Sequence, residues 1–132
     1  MRKVLKGQWG EKADTAWEFY LSESLPTDIE VSAVMGLAFW KDKIFLTRTK
    51  RGWEIPGGHL ENEETVEECL LRELSEEIGA GSVRSSKLFG FRKIYNPDRK
   101  VNGTEGKQYP RNTLVPYYLI ELDKEPTGAN AE

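Results

Sequence analysis

The sequence contains very few of the residues that cross-link small proteins. Among 132 residues there is one cysteine, Cys69, and one histidine, His59. A lone cysteine forms no internal disulfide, and this pair is too small for a zinc site built on cysteine and histidine. The chain must therefore fold without cross-links, and any catalytic metal that it binds must be held by oxygen atoms.

Long apolar runs are also missing. The longest uncharged, apolar-rich stretch covers residues 31–40, about half of the roughly 20 residues that a membrane-spanning helix needs. The first eight residues start with basic side chains but lack the apolar segment of about 7 to 15 residues that a secretion signal requires. No linker, repeat or low-complexity tract divides the chain. These absences predict one domain over residues 1–132, located in the cytoplasm and without membrane contact.

Neither sign of charge is in large excess, because 19 basic and 22 acidic residues leave a net charge of −3. The two signs are nevertheless separated along the chain. Residues 54–77 contain nine glutamates and one arginine, a local charge of −8, whereas residues 84–111 contain eight basic and two acidic residues, a local charge of +6. The overall balance does not indicate duplex nucleic acid as a partner.

Apolar patterns predict strands at residues 15–21, 29–40, 43–49, 83–95 and 113–122. The second and third strands form a hairpin around Lys41 and Asp42, and Pro116 is expected to interrupt the last strand. Residues 51–58 contain a proline and a glycine pair, which predict a sharply shaped loop. The polar, basic connection 96–112 is longer than an inert loop usually is, and this favours a functional or disordered segment.

One helix is predicted with assurance, over residues 63–78. Val66, Leu70, Leu74 and Ile78 repeat every four residues, glutamates occupy the first turn, and Gly79 is a natural C-cap. A single helix must bury its apolar stripe against another layer. Since several strands and only one helix are predicted, that layer is a β-sheet. The predicted fold class is therefore α/β (α+β), a mixed β-sheet packed against this helix.

The same helix brings three carboxylates together. At about 100° per residue, Glu76 and Glu77 lie within roughly 60° of Glu73 around the helix axis, beside the apolar stripe. Like charges at this spacing destabilise a helix, and only Arg72 offers local relief. A hard divalent cation, Mg²⁺ (or Mn²⁺), answers this need because it prefers oxygen ligands and commonly binds substrate phosphates as well. The glycine pair just before the helix can add a backbone carbonyl as a further ligand.

These residues stand at a spacing that resembles the Nudix box, G-x5-E-x7-R-E-U-x-E-E-x-G-U, in which U is a bulky aliphatic residue. Gly58 is followed after five residues by Glu64, and after seven more by the run Arg-Glu-Leu-Ser-Glu-Glu-Ile-Gly-Ala at residues 72–80. Every fixed position is filled, and the one departure is Ala80, where a larger side chain is usual. The setting, with strands on both sides and Pro-Gly-Gly leading into the box, is also similar to Nudix domains.

The resemblance implies an α/β/α sandwich with the activity of a Nudix (MutT-like) pyrophosphohydrolase. Such an enzyme uses metal-activated water to cleave the pyrophosphate linkage of a nucleoside diphosphate derivative. The carboxylate cluster agrees with this chemistry, since cleaving P–O–P requires neutralised phosphate charge and a deprotonated water. Nothing in the box selects among an oxidised nucleotide, a nucleotide sugar, ADP-ribose and a dinucleoside polyphosphate as the small-molecule partner.

Two alternatives belong to other functional classes. A non-catalytic nucleotide- or RNA-binding module on a Nudix scaffold would normally tolerate the loss of box carboxylates, and their presence here argues against it. An isomerase on the same scaffold would need a reactive cysteine or acid pair outside the box, and none is evident in the sequence.

Position by position, the resemblance implies roles for the box residues. The implied metal ligands are three side chains and one backbone carbonyl, those of Glu73, Glu76, Glu77 and Gly57. The implied supporting residues are Gly58 and an ion pair of Glu64 with Arg72 that ties the loop to the helix. Glu73 or Glu77 acts as the general base, unless an acid of the following loop, Asp98 or Glu105, takes that role.

Substrate contacts are expected from the basic segment that follows the helix. Its candidate residues are Arg92, Arg99, Lys100, Lys107, Tyr109 and Arg111. A solvated loop explains the charges equally well, because lysine and arginine runs alone are weak indicators. Four aromatic residues are positioned to stack on a base, but strand aromatics belong more often to the core: Trp53, Phe91, Tyr95 and Tyr109. His59 and Cys69 are interpreted as structural.

Nudix domains generally carry a second helix after the last strand, and this C-terminal helix is apparently missing from the sequence. Either the chain is shortened or a second chain covers that face of the sheet, since an exposed apolar face promotes aggregation. The expectation is a homodimer.

Overall fold

The structure, a computed structural model, describes residues 1–9, 15–96 and 110–128. In those ranges the chain forms the strands β1 (Arg2–Trp9), β2 (Thr15–Leu21), β3 (Ala33–Trp40), β4 (Lys43–Phe45), β5 (Thr47–Thr49), β6 (Gly52–Glu54), β7 (Gly57–His59), β8 (Val83–Tyr95) and β9 (Asn112–Leu122). The one helix of these ranges, α1 (Val66–Ile78), lies between β7 and β8 in the sequence. It is too short and too polar to cross a membrane.

Seven of the strands form one sheet in the order β1-β2-β8-β9-β3-β4, and β7 pairs with β3 beside β4. All neighbours are antiparallel except β3 and β9, which run parallel. Strands β5 and β6 form a separate hairpin. The predicted fold class, a mixed sheet packed against the box helix, is confirmed.

The strand predictions match best inside the sheet, although β3 begins at Ala33, four residues later than predicted. Strands β2 and β8 have the predicted bounds, whereas the predicted strand 43–49 divides into β4 and β5, which belong to different sheets. The predicted loop 51–58 contains β6 and the start of β7. Strand β1 was not predicted. It pairs only with β2 at the sheet edge, and its side chains, lysines included, are mostly exposed, so it has no apolar alternation to detect.

The predicted interruption at Pro116 is wrong for the strand itself, since β9 runs through this residue, and the irregularity lies only in its pairing with the neighbouring strand. On the β8 side Pro116 pairs with Phe91 without a break. On the β3 side the ladder passes from an isolated bridge, Val31 with Leu114, to the pair of Met35 with Tyr117, so β3 takes one residue more than β9 over this interval. Proline has no N–H to donate, which explains the local irregularity in a central strand.

Helix α1 begins three residues later than predicted. Glu63 has a φ of 63°, outside the helical region, and Thr65 is the N-cap of a capping box with Glu68. The Thr65 side chain accepts a hydrogen bond from the Glu68 N–H at 3.1 Å, and the Thr65 N–H donates to the Glu68 carboxylate at 2.9 Å. The predicted C-cap is confirmed, because Gly79 adopts the left-handed conformation with a φ of 69°.

The apolar stripe of α1 packs on one face of the sheet. Cys69, Leu70, Leu74 and Ile78 are buried against residues of β3 and β9: Val34, Ala38, Ile120 and Leu122. The other face carries a smaller cluster, formed by Ala33, Ile94 and Val115 with Trp17, Met35 and Tyr117, and no described helix lies on it. The homodimer that would cover this face stays a prediction.

The chain after β9 returns to the end of α1. The Thr127 N–H donates to the Gly79 carbonyl at 3.1 Å, and the Gly128 N–H donates to the Ile78 carbonyl at 3.2 Å. Carbonyls at a helix end have no partner within the helix, so these bonds satisfy them. A Cβ atom at Gly79 would overlap the Thr127 hydroxyl, and glycine is therefore required for the approach as well as for the turn.

An ion pair ties the loop before α1 to the helix. Arg72 donates to both carboxylate oxygens of Glu64, from Nε at 2.7 Å and from Nη2 at 3.1 Å, and Nη2 also donates to the His59 carbonyl at 3.3 Å. The Glu64 side chain is only 12% exposed. The hydrogen bonds from Arg72 lower the pKa of Glu64 from its ordinary 4.5 to about 2.

We expect Glu64→Gln to destabilise the fold by about 1 to 3 kcal/mol at pH 7, because it removes a charge-assisted pair that is mostly buried. The folded-state pKa of Glu64 lies below the unfolded one, so this stabilisation is complete above about pH 4.5 and is lost as the pH falls towards 2. Urea unfolding between pH 7 and pH 3 should therefore show the two proteins converging in stability.

The control is Glu121→Gln. Glu121 pairs with Arg84 at 3.3 Å with both side chains more than half exposed, so its loss should change stability by less than about 0.5 kcal/mol. A constant difference between the Glu64 variant and the parent across the pH range would contradict the assignment.

Candidate active site

The glutamates of the last helical turns face strand β7. The Gly57 N–H donates a hydrogen bond to Oε1 of Glu77 at 3.0 Å. Glu73 lies beside Gly58 so closely that a Cβ atom at Gly58 would stand 2.5 Å from Oε1 of Glu73. The glycine pair therefore brings the backbone of β7 into direct contact with two of the carboxylates.

Strand β7 is held in this place by the main sheet. Its residues Gly57 and Gly58 pair with Met35 and Val34 of β3, and the preceding carbonyl, that of Pro56, accepts a hydrogen bond from the Gly36 N–H at 2.9 Å. A Cβ atom at Gly57 would overlap the Val34 carbonyl. Glycine at position 57 thus permits the close pairing of β7 with β3. Glycine at position 58 permits the close approach of the Glu73 carboxylate.

Glu73 and Glu77 form a carboxyl pair at the rim of the core. Both carboxyl groups lie against the backbone of β7, and the Glu73 side chain is only 14% exposed. Burial, followed by the interaction with Glu77, raises the pKa of Glu73 from 4.5 to about 7. Two carboxyl groups this close favour a positive charge beside them.

Arg72 supplies part of that positive charge. Its Nη1 donates to Glu73 at 2.9 Å and to Glu76 at 3.3 Å. As a result Glu76 is directed at the guanidinium, and the described residues contain no group of three acidic, histidine or cysteine side chains already arranged around one ion position. The Glu76 side chain is 58% exposed, so it can turn towards the pair at small cost.

The donor set fits a hard divalent cation. It consists of oxygen atoms only, from Glu73, Glu77, a rotated Glu76 and the adjacent backbone of Gly57. Three glutamates at this helix end share one described cation, Arg72, so the cluster needs further positive charge. A metal ion bound here would meet that need.

Of the residues predicted for substrate contact, the two that the structure describes do not lie at the carboxylates. Arg92 lies on the face of the sheet opposite α1, with its guanidinium carbon 4.9 Å from the ring centre of Trp17 and 5.7 Å from that of Tyr117. Arg111 is exposed at the base of the β8–β9 hairpin, where its carbonyl accepts a hydrogen bond from the Asn96 N–H at 2.8 Å. The other candidates lie outside the described residues: Arg99, Lys100, Lys107 and Tyr109, with the loop acids Asp98 and Glu105.

The expectation that strand aromatics belong to the core is right for Phe91 and wrong for Trp53. Phe91 is fully buried and stacks on Tyr20, whereas Trp53 is 62% exposed and Tyr95 is half exposed. Trp53 lies on the separate β5–β6 hairpin, and within residues 1–9, 15–96 and 110–128 no layer covers its ring. The sequence analysis also missed Arg48, whose guanidinium carbon is 5.4 Å from the Trp53 ring centre.

Cys69 is fully buried, and its thiol contacts the carbonyls of Gly58 and His59 at 3.6 and 3.5 Å. Burial raises the pKa of this thiol to about 12, so it stays neutral and unreactive. This environment agrees with a packing role.

A family model described as the NUDIX domain matches residues 30–132. A curated relative from Proteus vulgaris, named 8-oxo-dGTP diphosphatase, is 70% identical over 49 residues, which are 37% of this chain and 43% of that protein. The putative 8-oxo-dGTP diphosphatase YtkD of Bacillus subtilis is 43% identical over 51 residues, 39% of this chain and 32% of that protein. The chain thus spans less than half the length of these relatives.

Among solved structures, the crystal structure of a mutant of the Bacillus subtilis pyrophosphohydrolase BsRppH is similar to this chain. The TM-score is 0.64 at 26% sequence identity, and the match covers 94% of this chain and 67% of the other. Family model and fold agree with the box, the capped helix and the glycine-bound carboxylates. The chain belongs to the Nudix family.

Proposed function

We propose that this protein is a metal-dependent Nudix pyrophosphohydrolase that hydrolyses the pyrophosphate linkage of a nucleoside diphosphate derivative by attack of water on phosphorus. The observation that carries the proposal is the carboxyl pair of Glu73 and Glu77 held against the glycine pair: Gly57 donates to Glu77, and Glu73, only 14% exposed, lies against Gly58. A pair of this kind is costly to a fold that does not use it.

Mg²⁺ or Mn²⁺ would be held by Glu73, Glu76, Glu77 and the carbonyl of Gly57. When bound, the ion supplies positive charge to the phosphate oxygens and lowers the pKa of its water. The protein's own groups do the positioning. The Gly57 N–H orients the Glu77 carboxylate, Arg72 holds Glu73, and either carboxylate is placed to take the proton of the attacking water.

The names of the relatives suggest where to begin with substrates. The similar proteins from Proteus vulgaris and Bacillus subtilis are named for activity on 8-oxo-dGTP. We therefore propose a nucleoside triphosphate with an oxidised purine as the leading small-molecule substrate. Nucleotide sugars, ADP-ribose and dinucleoside polyphosphates share the required diphosphate and are the comparison set, and duplex nucleic acid is not proposed as a partner.

The test is a panel of these four substrate classes with Mg²⁺ or Mn²⁺, with products separated by chromatography. We expect 8-oxo-dGTP to give the nucleoside monophosphate and pyrophosphate, and an excess of chelator to abolish turnover. Tight nucleotide binding without product from any compound would instead favour the non-catalytic module.

Glu77→Gln should lower kcat by about 10²- to 10⁴-fold and leave the fold intact. The glutamine keeps an oxygen that can accept the Gly57 N–H, so the hydrogen bond survives while the negative charge is lost. Steady-state kinetics and thermal unfolding on the same preparation check the two halves of this prediction. Turnover equal to that of the parent would remove Glu77 from the mechanism.

Gly58→Ala should lower kcat strongly at a small cost in stability. The added methyl group would meet the Glu73 carboxylate at 2.5 Å, and since that is the end of a flexible side chain, it is displaced while the backbone is retained. The matched control is Gly81→Ala, where a Cβ atom would meet nothing within 4 Å. An active Gly58 variant, or one that loses activity only by unfolding, would contradict the proposed contact.

A further inference from the structure

The β5–β6 hairpin presents an arginine and a tryptophan side by side. Arg48 and Trp53 are direct partners across the two strands, so their side chains leave the hairpin on the same face. The turn between them is shaped by the Thr49 side chain, which accepts from the Arg51 N–H at 3.1 Å and donates to the Gly52 carbonyl at 3.4 Å. The spatial relation of the two side chains is therefore set by local structure.

The indole of Trp53 is exposed in a way that folding does not explain. Its relative exposure is 62%, and Arg48 approaches the ring with its guanidinium carbon 5.4 Å from the ring centre. A tryptophan buries a large apolar area when it serves a core, and this one remains in contact with solvent. Exposed aromatic surface beside a catalytic group is typical of a ligand contact.

Trp53 and Arg48 line a cavity of about 330 Å³ that reaches the candidate active site. We call this cavity the hairpin pocket. Its lining residues come from the hairpin, from the segment before it, from the end of α1 and from the returning C-terminal segment: Phe45, Leu46, Thr47, Arg48, Trp53, Glu77, Ile78 and Gly128. Four of these side chains are large and apolar, and Glu77 belongs to the carboxyl pair. The pocket thus lies directly beside one of the candidate active-site carboxylates.

The hairpin is connected to the carboxylates through a short and well-held segment. Pro56 is buried, and its carbonyl accepts the Gly36 N–H at 2.9 Å. The next residue, Gly57, donates to Glu77 at 3.0 Å. Three residues therefore separate Trp53 from a direct bond to the active-site carboxylate, which fixes the ring near that carboxylate.

We propose that the hairpin pocket binds the nucleobase of the substrate, with the base stacked on Trp53 and Arg48 beside it. The proposal rests on the proposed function, because it assigns the base of that same substrate. A nucleobase is flat and uncharged, and it gains affinity from an indole face and a neighbouring guanidinium. A phosphate group fits less well, because the pocket is largely apolar and the Glu77 carboxylate in its wall repels an anion.

The test uses binding to the metal-free protein, so that it does not depend on catalysis. Calorimetry compares dGMP with 2-deoxyribose 5-phosphate, which lacks only the base. Trp53→Ala should weaken dGMP binding by about 5- to 100-fold, the range expected for one stacked base, and Trp53→Phe should restore most of it. Binding of 2-deoxyribose 5-phosphate should change by less than about twofold in both variants.

The matched control is Leu5→Ala on the edge strand β1, where the side chain is 61% exposed, nearly the same fraction as Trp53. It should leave both ligands unaffected. Equal losses for the two ligands in Trp53→Ala, an unchanged affinity for dGMP, or no dGMP binding by the parent protein at millimolar concentration would each overturn the proposal.

Kinetics with 8-oxo-dGTP separate this proposal from the proposed function. If the parent hydrolyses 8-oxo-dGTP and Trp53→Ala has the same KM, the proposed function is supported and base binding in the hairpin pocket is contradicted. If binding depends on the base and on Trp53 but no diphosphate is hydrolysed, base binding in the pocket is supported and the proposed enzymatic function is contradicted.

Discussion

The close contact between the backbone of β7 and the carboxylates of α1 is the constraint on which the rest of the structure depends. Gly57 binds Glu77 through its N–H, and Gly58 leaves no room for any side chain beside Glu73. Such contact requires a strand and a helix end to meet within ångströms. The β3–β7 pairing places the strand, the Thr65 capping box sets where the helix begins, and the returning C-terminal segment bonds to the carbonyls at its end. Most of the local order around α1 thus supports one contact of the active site.

The electrostatics of the site follow from how few cations the helix contains. Arg72 alone meets four carboxylates, those of Glu61, Glu64, Glu73 and Glu76. Its shortest hydrogen bond is to Glu64, and it lowers the pKa of that carboxyl to about 2. Burial and the neighbouring Glu77 instead raise the pKa of Glu73 to about 7. The arginine therefore ties the loop to the helix, and the glutamates at the helix end outnumber the one cation that contacts them.

Much of this arrangement was predictable because it depends on spacing along one element. The helix, its Gly79 cap and the shared arc of the three glutamates follow from a period of 3.6 residues, and strands β2 and β8 follow from their apolar pattern. Three features depend on tertiary partners and were not predictable. Strand β1 exists because β2 offers an edge, and Trp53 is exposed because no described residue covers its ring. Arg92 faces away from α1 because the register of β8 points it there. Charge and aromatic content alone do not reveal which side of a sheet a residue occupies.

The segment from β5 to β7 contributes both to the proposed binding of the base and to the contact with the catalytic carboxylates. Its first half presents Arg48 and Trp53 at the hairpin pocket, and its second half carries the glycine pair that contacts Glu73 and Glu77. The catalytic half is restricted by close packing, since both glycines lie where a Cβ atom would collide. The hairpin half forms its own small sheet in which Arg48 and Trp53 are exposed, so these two side chains can change without disturbing the core. Substrate choice can therefore vary in the hairpin while the chemistry stays constant in the box, which is why a complete Nudix box does not by itself identify the nucleotide.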